Sequence, residues 1–287
     1  LGASVIAVMA SAAPIQAENV LRWTSQGDAL TLDPMSQNEG PTNTMNGQIY
    51  ESLVSRDATM ALVPELATSW EPGADGWIFN LRQGVKFHDG ADFTAEDVAF
   101  SFERALAESS DFKEQAKAVS GVEIIDDHTV KLLTDGPNPI LANQLTSIYM
   151  MDKGWSEAND VTEPQDYAAN EESYAVRNAN GTGPFKLVSR APDELTVLER
   201  NGDWWGAEVF PGNVDKIEYR PIANAATRVA ALLSGEVDFV LDPPLQDLAR
   251  IESADGLVVK TTPQIRSIFF GMDQGVDQLR NSDVEGN

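Results

Sequence analysis

A chain of 287 residues that sets 45 acids against 20 lysines and arginines carries a formal charge of −25, which opposes binding to a phosphate backbone or an anionic lipid surface. The absence of cysteine removes disulfide scaffolds, thiolate zinc sites, iron–sulfur clusters and cysteine nucleophiles, along with the cysteine that a lipoprotein anchor requires. Apolar residues at 42% suffice for the core of one large α/β domain or two ordinary ones.

The first segment, "LGASVIAVMASAAPIQA" (1–17), is uncharged, rich in small residues and too short to span a bilayer, and polar sequence begins at Glu18. It reads as the remnant of a secretory signal with a cut after Ala17, so an exported, periplasmic protein is expected. Leu21 and Trp23 then alternate with Arg22 and Thr24, a strand pattern. The loop "QGDALTLDPMSQNEGP" leads to a helix predicted from near Thr42, with Met45, Ile49 and Leu53 on one face. Strand, polar loop and helix in this order form the geometry in which open α/β sheets hold ligands at the carboxyl ends of their strands.

From 62 to 133 the pattern is hairpins plus one helix. Trp77, Phe79 and Leu81 alternate with Ile78, Asn80 and Arg82, and "GVEII" and "TVKLL" flank the turn "DDH" as an antiparallel pair. Between them lies "VKFHDGADFTAEDVAFSF", in which His88 is followed closely by Asp89, Asp92, Glu96, Asp97 and Glu103. A metal or general-base site would use such a cluster. The local reading is simpler: Val85 and Phe87 form one side of a strand, Asp89-Gly90 is a turn, and Thr94 with Asp97 has capping-box spacing before Val98, Phe102 and Ala105. No second imidazole lies nearby, and a nearly all-carboxylate set suits hard cations better than zinc. No metal ligand, catalytic residue or cofactor is assigned. An exported metal-dependent hydrolase using the acids around His88 stays as the rival reading.

The polar stretch 152–182 is taken as surface helix and loop. "GTGPFKLVSR" and "ELTVLER" read as a further hairpin across "APD", and "DKIEYRPI" as a strand. In "NAATRVAALLSGEVDFVL", Asn224 caps a helix that turns Val229, Leu232 and Leu233 inward, Gly235 stops it, and a strand follows. A second α/β step is expected through "GLVVKTTP" to "IRSIFFGMD". "NGTGPF" has too few glycines for a phosphate loop, no Gly-x-Ser-x-Gly elbow occurs, and Trp204-Trp205 reads as packing, with an apolar pocket as the alternative.

The block "LVPELATSWEPGADGWIFNLRQGVKFHDGADFTAEDVAFSFERAL" (62–106) closely resembles the signature of the family-5 extracytoplasmic solute-binding proteins, the peptide- and nickel-binding group of ABC importers. The agreement continues in "GTGPFKL", "ERNGDWWG" and "DKIEYRPIANAATRVAALLSGEVDFV", in the family's order. The resemblance implies an α/β fold: a two-lobed periplasmic binding protein, type II-like with an inserted subdomain. Such a protein is expected to capture a peptide or similar small solute and present it to an ABC transporter permease in the inner membrane, with no turnover. Lobe I is expected at 18–50 and 175–268, the inserted subdomain at 51–174 and the start of lobe II at 269–287. The second lobe is expected to be largely missing from this chain, which ends about where that lobe begins in the family. A monomer with no nucleic-acid partner is expected. For the cleft wall, the candidate ligand-binding residues are Gln26, Gly27, Asp28, Asn38, Glu39, Gly40, Tyr149, Met150, Ile265, Arg266 and Ser267. Glu39 would meet a ligand amine, Arg266 a carboxylate, and the backbone at Ile265–Ser267 an extended peptide.

Overall fold

The computed structural model describes residues 18–169, 172–262 and Phe270. The expected signal remnant and the segment Ile265, Arg266 and Ser267 lie outside the described residues. The strands along the chain are β1 (Val20–Thr24), β2 (Val54–Arg56), β3 (Leu62–Pro64), β4 (Ala67–Pro72), β5 (Gly76–Leu81), β6 (Gly121–Asp126), β7 (Thr129–Leu133), β8 (Phe185–Ala191), β9 (Leu195–Arg200), β10 (Lys216–Tyr219) and β11 (Phe239–Val240). The helices are α1 (Gly40–Asn46), α2 (Ala95–Ala105), α3 (Lys113–Ala116), α4 (Leu141–Gln144), α5 (Lys153–Ala158), α6 (Ala225–Ser234) and α7 (Leu248–Glu252). Among the described residues no helix is long and apolar enough to cross a membrane.

A mixed five-stranded sheet runs in the order β11-β1-β10-β9-β8. Parallel neighbours need a covered crossover, and α6 supplies it between β10 and β11, both of which pair parallel to β1. The Asn224 side chain accepts from Thr227 N at 3.0 Å to start α6, and Gly235 ends it at φ 77°, in the left-handed region. Val229, Ala231 and Leu232 pack on Val237, Val240 and Ile251. On the sheet's other face the β1 alternation puts Trp23 beside Leu198, Ile217 and Tyr219, with the Trp23 and Tyr219 rings 4.7 Å apart edge to face. Residues 257–262 carry no strand; Leu257 and Val259 instead pack against the α6 core.

A second, antiparallel sheet runs in the order β4-β5-β7-β6 and has its own core, where Phe79, Val130 and Leu132 meet Val98, Phe102 and Ala105 of α2. Helix α2 serves two cores, because Phe100, off that stripe, packs with Trp23, Ile49 and Tyr50. The expected strand at Val85–His88 is a tight loop closed by a single Lys86–Asp92 bridge, yet its apolar alternation survives, since Val85 and Phe87 are buried.

The predicted helix carrying Met45, Ile49 and Leu53 is shorter than its pattern. All three side chains are buried, but α1 stops at Asn46. The reason is where the next carbonyls find donors: Gln48 O accepts from Phe185 N at 3.1 Å and Ile49 O from Gly183 N at 2.8 Å. These bonds to a distant segment replace the helical ones. They also bring residues 48–51 and 181–185 so close that a Cβ on Gly181 would sit 2.0 Å from Ile49 O. Gly181→Ala is therefore expected to lower stability at the upper end of the overpacking range, about 3 kcal/mol, read as a drop in the urea midpoint. Gly202→Ala, with open space around the new methyl, should leave the midpoint nearly unchanged.

Candidate functional site

The carboxyl ends of β1, β10 and β11 lie at one edge of the five-stranded sheet, where the chain turns into the loop after Thr24 and into α6. The loop is held open in a fixed shape. Tyr219 Oη and Ser25 Oγ lie 2.8 Å apart, and both hydroxyls reach Gly27 O. Leu30 N donates to Thr42 Oγ1 at 2.8 Å, tying the loop to the start of α1. Burial raises the Tyr219 phenol pKa, and the negative charges of Asp28 and Glu39 add to the shift. The structure thus brings the Gln26–Asp28 loop and Glu39 together.

The side chains differ in what they have left to offer. Gln26, Asn38 and Gly40 are exposed. Asp28 is already engaged: it accepts from Asp193 N at 2.8 Å and forms a buried ion pair with Arg190. Glu39 caps α1, its Oε1 accepting from Thr42 N at 2.7 Å. Asn38 Oδ1 accepts from Asn43 Nδ2. Tyr149 and Met150 lie elsewhere, paired along the 51–52 segment. Met150 is fully buried in the core of the antiparallel sheet, while Tyr149 stands 6.4 Å from the Tyr50 ring, and burial raises both phenols well above their ordinary range.

The joint between the two sheets holds two functional-type groups that the sequence did not single out, Glu51 and Arg82, beside Trp204-Trp205. Glu51 accepts from the indole N–H of Trp204 on Oε1 and of Trp205 on Oε2, each at 2.9 Å, and from Thr182 Oγ1 at 2.8 Å. Burial, reinforced by the neighbouring Glu65, pushes the Glu51 carboxyl up to about 7. Arg82 lies over the Trp205 ring at 3.8 Å. Trp204-Trp205 is therefore packing and pocket wall at once. The available signal was an acid, Glu51, set between the apolar pairs Ile49-Tyr50 and Leu53-Val54, a position that requires buried donors.

His88 belongs to the same joint. Its backbone N–H donates to Gly181 O at 2.8 Å, its Nε2 faces Gly183 O at 3.0 Å, and Asp89 N donates to Asn180 Oδ1. Burial pushes the imidazole down to about 4, so the ring is neutral at ordinary pH and Nε2 carries the donated proton. The nearby acids are engaged locally. Asp89 accepts from Ala91 N, Asp92 pairs with Lys86 and Glu96 with Lys153, and Asp97 reaches back to Thr94 N at 2.8 Å as the capping box predicts. Among the described residues no group of three or more His, Asp or Glu side chains is placed to hold a metal ion.

The chain is similar to known proteins in sequence and fold. The model of the bacterial extracellular solute-binding proteins, family 5 middle region, matches residues 61–284. The glutathione-binding protein GsiB of Pectobacterium atrosepticum is 27% identical over 247 residues, 85% of this chain and 46% of its own length. Among solved structures, the periplasmic binding protein DppA from Helicobacter pylori in complex with peptide STSA superposes with a TM-score of 0.72 at 28% identity, over 83% of this chain and 49% of that one. A nickel ABC transporter protein from Bacillus halodurans does so with a TM-score of 0.68 at 27% identity, over 83% and 46%. The chain spans about half the length of the curated relatives that it matches. With its mixed sheet, its antiparallel companion and the family's ordered motifs all in place, the chain belongs to the family-5 bacterial extracellular solute-binding proteins.

Proposed function

We propose that this protein is the solute-capturing component of an ABC importer, taking a peptide-like small solute in the periplasm and delivering it to an inner-membrane permease without turning it over. The observation that carries the reading is the family match over residues 61–284, and loops at the carboxyl ends of parallel strands, where open α/β sheets hold ligands, support it. Glutathione and the peptide STSA, which two of the relatives bind, are small amide-containing solutes and favour that class. We read the α/β fold as one lobe of a two-lobed binding protein, with lobe I at 18–50 and 175–268 and an inserted subdomain at 51–174. The two main hydrophobic cores, one around β1 and β10 and one around β5 and β7, support this division, with Phe100 and Met151 reaching into the first and Met35 into the second. Residues 269–287 would open lobe II.

In this reading Gln26, Gly27, Asn38, Glu39 and Gly40 present the loop surface to the solute, Asp28 holds that surface in shape through Arg190, and Ile265–Ser267 would add backbone pairing. Tyr149 and Met150 act from behind by packing. Capture would proceed by hinge closure. Calorimetric titration of the full-length protein with glutathione, a dipeptide, a tetrapeptide and a nickel–histidine complex tests it. Binding of at least one peptide-class solute, with a smaller radius of gyration on saturation, is expected. Heat from none of them, or product formed from any, would sink the proposal.

A further inference from the structure

A cavity of about 580 Å³ opens where the 204–210 turn faces the β2–β3 hairpin, away from the strand-end loop. Its apolar walls are Val63, Pro64, Trp204, Trp205, Val209 and Phe210. Val209 and Phe210 stand 69% and 62% exposed, unusual for such residues without a partner. We propose that this cavity is a second ligand site that takes a small organic carboxylate with an aromatic or apolar body, held by Arg82.

The argument rests on which polar groups around the cavity are already engaged. Arg56 donates to Met60 O and to Asn143. Both Glu51 oxygens accept from the indoles and Thr182, Glu65 accepts from Ser52 N and Oγ, and Asp57 accepts from Thr59 and Ala61 within its own turn. The Arg56 Nε is buried without a partner, but among the described residues Arg82 alone of the charged groups here leaves both of its terminal amino groups unpaired. Its Nε donates to Glu65 O at 3.0 Å, and the stack on Trp205 fixes the guanidinium plane. Among the described residues, its two terminal amino groups have no protein acceptor, and no carboxylate lies within ion-pair distance. A planar fork of N–H groups, held rigid beside apolar walls, matches a carboxylate in bidentate geometry. The body of such a ligand would lie against Trp204, Val209 and Phe210. An ammonium ligand is disfavoured because Arg82 already covers the Trp205 face with a positive charge.

Phenylacetate is the probe and phenylacetamide its neutral control, titrated calorimetrically into the full-length protein. Phenylacetate is expected to bind with a Kd on the order of 1 mM or tighter, with the amide about tenfold weaker. Arg82→Gln should weaken phenylacetate by about tenfold or more. Phe210→Ala removes an exposed ring, so it should leave the unfolding midpoint unchanged and weaken the probe several-fold. Equal affinity for acid and amide, full affinity in Arg82→Gln, or no heat from phenylacetate overturns the site. If Arg82→Gln fails to fold, an unchanged affinity in Phe210→Ala overturns it alone.

Discussion

Asp33→Ala is expected to lower the unfolding free energy by about 3–5 kcal/mol, the range for removing one partner of a buried ion pair. Asp33 and Arg104 are both fully buried, and the pair is bidentate: Nη1 to Oδ1 at 2.7 Å and Nη2 to Oδ2 at 2.6 Å. Asp33 also accepts from Met35 N and Gln165 N, while Arg104 donates to Val161 O and Glu163 O. The pair thus ties the loop after β1 to α2 and to residues 161–165, three segments far apart in the chain. Without the carboxylate, Arg104 would keep its charge in a dry site with only carbonyls to face it. The double variant Asp33→Ala with Arg104→Met removes the stranded charge as well and should recover most of the loss. Urea unfolding of the single and double variants measures this. A single-variant loss below about 1 kcal/mol would mean that solvent reaches the site.

Glu51 and His88 should give opposite pH slopes to stability. Glu51 is raised from 4.5 to about 7, so between those values the folded state holds a proton that the unfolded chain has released, and stability falls as pH rises through that window. His88 is lowered from 6.5 to about 4, so between those values the unfolded chain holds the extra proton, and stability falls as pH drops. Each window corresponds to roughly 3 kcal/mol. From about 4.5 to 6.5 the two slopes cancel, and above 6.5 the Glu51 loss stands alone. Glu51→Gln is expected to lie below the wild type in stability, because an amide nitrogen would meet an indole donor. Its stability should nonetheless rise with pH from 4.5 to 6.5. His88→Gln should show the converse, a steady loss across the same range. Parallel curves for wild type and Glu51→Gln from pH 5 to 8 would show that Glu51 titrates as an ordinary carboxyl. The neighbouring Glu65, also raised by burial, shifts the background and leaves the difference between the two proteins intact.

The elements with strong local signals were legible in order. The β6–β7 and β8–β9 hairpins, the Asn224 cap, the Gly235 stop and the Thr94–Asp97 box all follow from side chains that act on their own backbone neighbours. The end of α1 was not legible, because the carbonyls of Gln48 and Ile49 are taken by residues 183–185, a choice that no local propensity encodes. The cluster around His88 was read correctly as turn and cap. The imidazole's own partner, Gly183 O, lies 95 residues away and could not be read.

The candidate site divides along the same line. The sequence determined the family, through ordered motifs, and the strand–loop–helix pattern that follows Trp23. The tertiary structure alone decided which of those residues remain available. Asp28 is drawn into an ion pair with Arg190, Met150 is buried in a core, and Arg82, stacked over an indole, has terminal amino groups with no acceptor among the described residues. The physical reason is that burial and pairing are properties of distant segments brought together. A residue's chemistry is written at its own position, but whether that chemistry is already satisfied depends on its neighbours in space.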